Sequence, residues 1–67
     1  MTPNEQARKL QTYLARASER DLAGDAAARD RLIREAVEAV SLPLTAIHDA
    51  VAAKFGAGLA RLVHVPQ

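Results

Sequence analysis

The sequence predicts an all-α domain of three or four helices, and three observations predict it. Apolar residues recur at three- and four-residue spacing in three successive runs, over 7–17, 32–40 and 44–55. Each run is bracketed by capping and breaking residues: Thr2-Pro3, Gly24-Asp25, Ser41-Leu42-Pro43, Gly56-Ala57-Gly58 and Pro66. Alanine supplies much of the 49% hydrophobic content, against one Phe, one Tyr and no Trp. Alanine favours helix and buries little area, so the core falls to a short list of Leu, Ile and Val.

The first helix is expected over 3–23. Thr2 can cap it, Pro3 suits a first turn whose N–H groups are unpaired anyway, and Glu5 can return a bond to the cap. Ala7, Leu10, Leu14 and Ala17 make its apolar stripe, with Tyr13 on the shoulder. Gln6, Arg8, Lys9, Arg16, Glu19 and Arg20 make the wet side. Gly24 can take the left-handed conformation that ends the helix. Alternatively it is tolerated inside one long helix over 3–40, at about 1 kcal/mol relative to Ala, whose first half would extend away and pack on a second chain.

Asp25 is a good cap for a second helix over 25–40, whose stripe is Leu32, Ile33, Ala36, Val37 and Val40. Arg31 with Glu35 and Arg34 with Glu38 are i,i+4 pairs in the less favourable orientation, each worth a few tenths of a kcal/mol at most. Ser41 is the expected cap of a third helix over 43–55, with Leu44, Ile47, Val51 and Phe55 inward and Pro43 confined to its first turn. A last short helix over 59–64 is stopped by Pro66, although β-branched Val63 and Val65 weaken it. The expected core is Leu10, Leu14, Leu32, Ile33, Ala36, Val37, Val40, Leu44, Ile47, Val51, Phe55 and Leu62.

At 67 residues the chain is a single domain, divided into an N-terminal helix over 1–24 that packs or dimerises and a trihelical unit over 25–67. Domains this small rarely gain more than about 3–5 kcal/mol from one core. Without cysteine there is no disulfide to add to it. A homodimer is therefore expected.

Residues 48–67 carry the feature that points furthest. Two steeply crossing helices need a small residue at the contact, which Ala52 supplies. They also need a turn residue without a Cβ penalty, which Gly56 supplies four positions on. The segment Val51-Ala52-Ala53-Lys54-Phe55-Gly56 resembles the V-A-x-x-F-G opening of the helix-turn-helix in many bacterial regulators and transposase-like domains. Leu32-Ile33-Arg34-Glu35-Ala36 with Ser41-Leu42 is similar to the helix that leads into such motifs, so the resemblance covers about residues 29–67. It implies that the second helix of the motif lies in the major groove of double-stranded DNA. The outward positions would then be Gly58, Leu59, Ala60, Val63 and His64. Lys54, Arg61 and His64 are the candidate DNA contacts. Leu59, Ala60 and Val63 are apolar where base edges call for hydrogen-bonding side chains, and Gly58 stands where a Ser or Thr often caps.

Two functions follow from that face. One is a small DNA-binding protein of transcription regulation. The other is a helical protein-protein interaction or self-assembling module, an adaptor or inhibitor, that uses Leu59, Ala60 and Val63 as its partner or dimer interface. Net charge is +1 and the signs are interspersed, so the basic footprint usual in nucleic-acid binders is faint.

Chemistry is expected to be absent. His48-Asp49 invites comparison with metal-binding His-Asp pairs, but the only other histidine is His64, and a surface pair at a helix start is the plainer account. Ser18 and Ser41 lack an assignable His and carboxylate, and Asp21/Asp25 and Glu35/Glu38 fall on wet faces. Gly56-Ala57-Gly58 has no following Lys with which to cradle a phosphate. No enzyme, catalytic residue, cofactor or metal is expected. No apolar run approaches the ~20 residues of a membrane span. The opening Thr2-Pro3-Asn4-Glu5 is not a secretion signal, so a cytoplasmic protein is expected.

Overall fold

The computed structural model describes residues 2–66. Met1 and Gln67, the ends of the expected domain bounds, lie outside the described residues. Four helices follow in order: α1 (Pro3–Leu22), α2 (Ala26–Ala39), α3 (Leu44–Phe55) and α4 (Ala57–Ala60). Among the described residues there is no strand, and the fold is a small all-α domain.

α1 begins as its residues dictate. The Glu5 N–H donates to the Thr2 hydroxyl oxygen at 3.2 Å, and Pro3 occupies the first turn. It ends by backbone chemistry at Gly24, whose φ of +78° only glycine adopts without cost. There the Gly24 N–H donates to the Asp21 carbonyl and the Asp25 N–H to the Arg20 carbonyl, at 3.1 and 2.9 Å. This crossed pair is a Schellman closure, and it rules out a single helix over 3–40. Asp25 then caps α2, accepting from the Ala28 N–H at 3.1 Å.

α1 and α2 form a hairpin and make the most extensive contact in the molecule. The first helix thus folds back on its own chain. A Cα radius of gyration of 11.1 Å, against about 10.9 Å expected for a compact domain of this length, agrees. α3 and α4 form the second pair, and α3 meets both helices of the hairpin.

The buried apolar core joins Leu10, Leu14 and Ala17 of α1 to Ile33, Ala36 and Val40, to Ile47 and Val51 of α3, and to Ala60 and Val63. Leu14, Ile33, Ile47 and Val51 are the largest fully buried side chains. Of the expected core, Leu32, Val37, Leu44, Phe55 and Leu62 are instead half-buried and pack around its edge.

Three local expectations are corrected. Ser41 does not cap α3: Pro43 holds that position with φ −55°, and there is no side-chain cap. The Ser41 N–H instead donates to Oε1 of Gln6 at 2.7 Å. Gln6 is not on the wet side of α1 but 5% exposed. The last helix does not run over 59–64: it occupies Ala57–Ala60, after which Leu62 and Val63 donate to the carbonyls of Leu59 and Ala60 in successive three-residue turns.

Candidate functional site

The corner between α3 and α4 is built around Gly56. Its φ of 97° and ψ of 168° lie in a region essentially confined to glycine, and its N–H closes α3 on the Ala52 carbonyl at 2.8 Å. Ala52 is half-buried and packs against the core.

Lys54, Arg61 and His64 are all exposed at this corner, Lys54 on the last turn of α3 and the other two beyond α4. The three candidate interface residues divide. Leu59 is half-buried, whereas Ala60 and Val63 are 1% and 2% exposed and belong to the core. The exposed apolar face expected of Leu59, Ala60 and Val63 therefore does not form. In the three-residue turns after α4, Ala60 and Val63 stand in line, and the side they share is turned to the core. Gly58 is exposed as anticipated.

This rearrangement changes the chemistry of the corner. From residue 50 to residue 66 there is no Asp or Glu. Among the described residues, Lys54 and Arg61 enter no ion pair. The corner presents a lysine, an arginine and an imidazole, with no side-chain carboxylate between residues 50 and 66 to pair with them. Such an arrangement suits an anion spread over several atoms, such as a phosphodiester strand.

The charged groups of the hairpin behave differently. Arg29, with its side chain 17% exposed, donates to Asp21 at 2.7 Å and to Asp30 at 2.9 Å, tying the start of α2 to the end of α1. These hydrogen bonds, Asp21 first, raise the guanidinium pKa above its ordinary value. Arg31 with Glu35 and Arg34 with Glu38, the expected i,i+4 pairs, do not close as ion pairs.

Beside the hairpin lies an open cleft of about 380 Å³ lined by Arg20, Asp25, Ala28, Arg31, Leu32 and Glu35. Ala28 and Leu32 are half-buried in it. Its lining holds no Ser, Thr, Cys, His or Lys, and Asp25 is committed to the α2 cap, so the cleft offers charge pairing without a nucleophile. His48 Nδ1 lies 3.3 Å from the Asp49 carboxylate. Among the described residues, no group of three or more His, Cys, Asp or Glu side chains could hold a metal ion. Among them, too, no helix is long and apolar enough to cross a membrane.

Gln6 is the structural residue that residue type concealed. Helical spacing fits 6, 10, 14 and 17 as well as 7, 10, 14 and 17, and it is Gln6 that is buried while Ala7, expected in the stripe, is exposed. The chain matches no protein-family model, no curated protein and no solved structure.

Proposed function

We propose that this is a small, non-enzymatic helix-turn-helix-type DNA-binding protein of the cytoplasm, a transcriptional regulator that works as a homodimer. It grips the phosphate backbone of double-stranded DNA with Lys54, Arg61 and His64. One observation carries the reading: all three are exposed around the Gly56 corner, in a segment without carboxylates, while Ala60 and Val63 turn into the core. With four residues, α4 is about 6 Å long, half the ~12 Å width of a major groove. The corner therefore positions the protein on phosphates, and sequence preference comes from the shape of the duplex.

A salt titration with a labelled random duplex tests this. The slope counts the phosphates neutralised by Lys54 and Arg61: two give about −1.8 in log affinity against log salt, and a dimer about −3.6. Raising salt from about 50 to about 200 mM should weaken binding roughly tenfold for one corner and roughly a hundredfold for two. Arg61→Glu should remove binding. Absence of binding at the lower salt with about 1 mM protein would overturn the proposal.

A second reading, a helical protein-interaction module, is favoured by a different feature. Leu22 is 86% exposed at the hairpin tip, beside exposed Ala23, Ala26 and Ala27. This reading prevails if the chain ignores duplex at low salt, self-associates, and loses that association in Leu22→Lys.

A further inference from the structure

α2 carries a charge pattern that closes no ion pair within its own chain, although Arg31 and Glu35 also line the cleft beside the hairpin. Arg31, Arg34, Glu35 and Glu38 are all exposed. At about 100° per residue they fall within an arc of about 100°, centred opposite the buried Ile33 and Ala36. The two cations come first and the two carboxylates after. That order opposes the helix dipole, which favours acids near the N-terminus and bases near the C-terminus. The first turn of α2 has no acidic residue and its last turn no basic one. It is also the weaker order for i,i+4 pairing, and none of the four closes an ion pair within the chain.

The pattern is antisymmetric about its midpoint. Reversing the helix direction while exchanging the signs returns the same sequence of charges. A two-fold axis between antiparallel helices performs that reversal, and a two-fold interface must be complementary to itself. We infer that the outer face of α2 is a homodimer interface whose occupant is a second copy of this chain. Arg31 then faces Glu38 of the partner subunit, and Arg34 faces Glu35 of the partner subunit, each pair occurring twice. The reversed partner dipole also places each group of charges beside a helix end of suitable sign. Ala27, exposed on the same face, leaves the end of the interface unobstructed.

A 14-residue helix about 21 Å long gives a small, polar contact, so this dimer is weak and salt-sensitive. It stands independently of DNA binding, and the test uses protein alone. Sedimentation at about 200 µM protein should show dimer at about 20 mM salt and mostly monomer at about 500 mM.

Two charge-reversed chains supply the decisive comparison. R31E/R34E makes the face wholly acidic and E35R/E38R makes it wholly basic. Each should be monomeric by itself, and an equimolar mixture should restore dimer. The swap R34E/E35R, which conserves net charge, should dimerise better than either single change. All four positions are exposed, so helicity by circular dichroism should persist. Should either multiple variant lose its helicity, the single changes and the swap alone decide. A monomeric wild type at low salt overturns the inference, as does undiminished self-association of the charge-reversed chains or single variants. Loss of DNA binding with the dimer intact would leave this interface standing and remove only the role of the corner.

Discussion

Gln6 illustrates how a single polar side chain is held in an apolar stripe. It is 5% exposed, and its Oε1 accepts the Ser41 N–H at 2.7 Å across 35 residues of sequence. That bond fastens the first turns of α1 to the segment between α2 and α3. Two effects oppose each other in Gln6→Leu: added apolar burial stabilises, while a half-buried N–H loses its acceptor. A donor left without its acceptor costs about 1–3 kcal/mol, and Gln6 is already 5% exposed, so Leu adds little new burial and the loss dominates. Urea unfolding should show destabilisation by about 1 kcal/mol, and an equal or higher midpoint would assign the bond no structural role. The spacing of the stripe admitted either Gln6 or Ala7, and residue type argued for Ala7, which is exposed. Ala60 and Val63 differ in the opposite sense, expected outward and found buried, because apolar residues in and beyond so short a helix as α4 carry no periodic mark of which face is covered.

At the scale of elements, the glycines divide by backbone conformation alone. A Cβ at Gly24, Gly56 or Gly58 would meet nothing within 4 Å, so packing does not distinguish them. Gly24 at φ +78° lies near the left-handed helical region, where Ala costs about 1–2 kcal/mol and Asn less. Gly56, at φ 97° and ψ 168°, lies where only glycine is at ease, and Gly56→Ala should cost about 1–3 kcal/mol. Gly58, within α4 and without positive φ, should be stabilised by about 0.5–1 kcal/mol in Gly58→Ala. The order of urea midpoints should therefore be Gly58→Ala, wild type, Gly24→Asn, Gly24→Ala, Gly56→Ala. A Gly56→Ala variant as stable as wild type would remove the corner as a constrained element. Capping and glycine chemistry act within a few residues, and so the starts of α1 and α2 and the breaks at Gly24 and Gly56 were readable from the chain. The length of α4 was not, since the spacing of residues 57–65 does not mark that Ala60 and Val63 would join the core. Ser41 failed as a cap because α3 begins at Leu44 with Pro43 in the cap position, which leaves Ser41 two residues too early for its hydroxyl to meet the first turn.

For the whole molecule, stability rests on a few large side chains that tie the two helical pairs together. α3 brings Ile47 and Val51 against the hairpin, where Leu14 and Ile33 are also fully buried. Truncating one such residue to alanine costs about 2–5 kcal/mol, while a single core of this size supplies about 3–5 kcal/mol in all. Ile47→Ala should therefore abolish the cooperative melt followed by circular dichroism near room temperature. Ile33→Val, which removes one methylene, costs about 0.5–1.5 kcal/mol and should only lower the midpoint. Self-association changes this balance by mass action, because whatever binds only the folded chain raises its apparent stability. The melting temperature of Ile33→Val should then rise with protein concentration at low salt, and cease to do so when R31E/R34E is added to it. A melt independent of concentration at low salt would show that the folded state gains nothing from a second copy, and that the hairpin and corner stand on their own core.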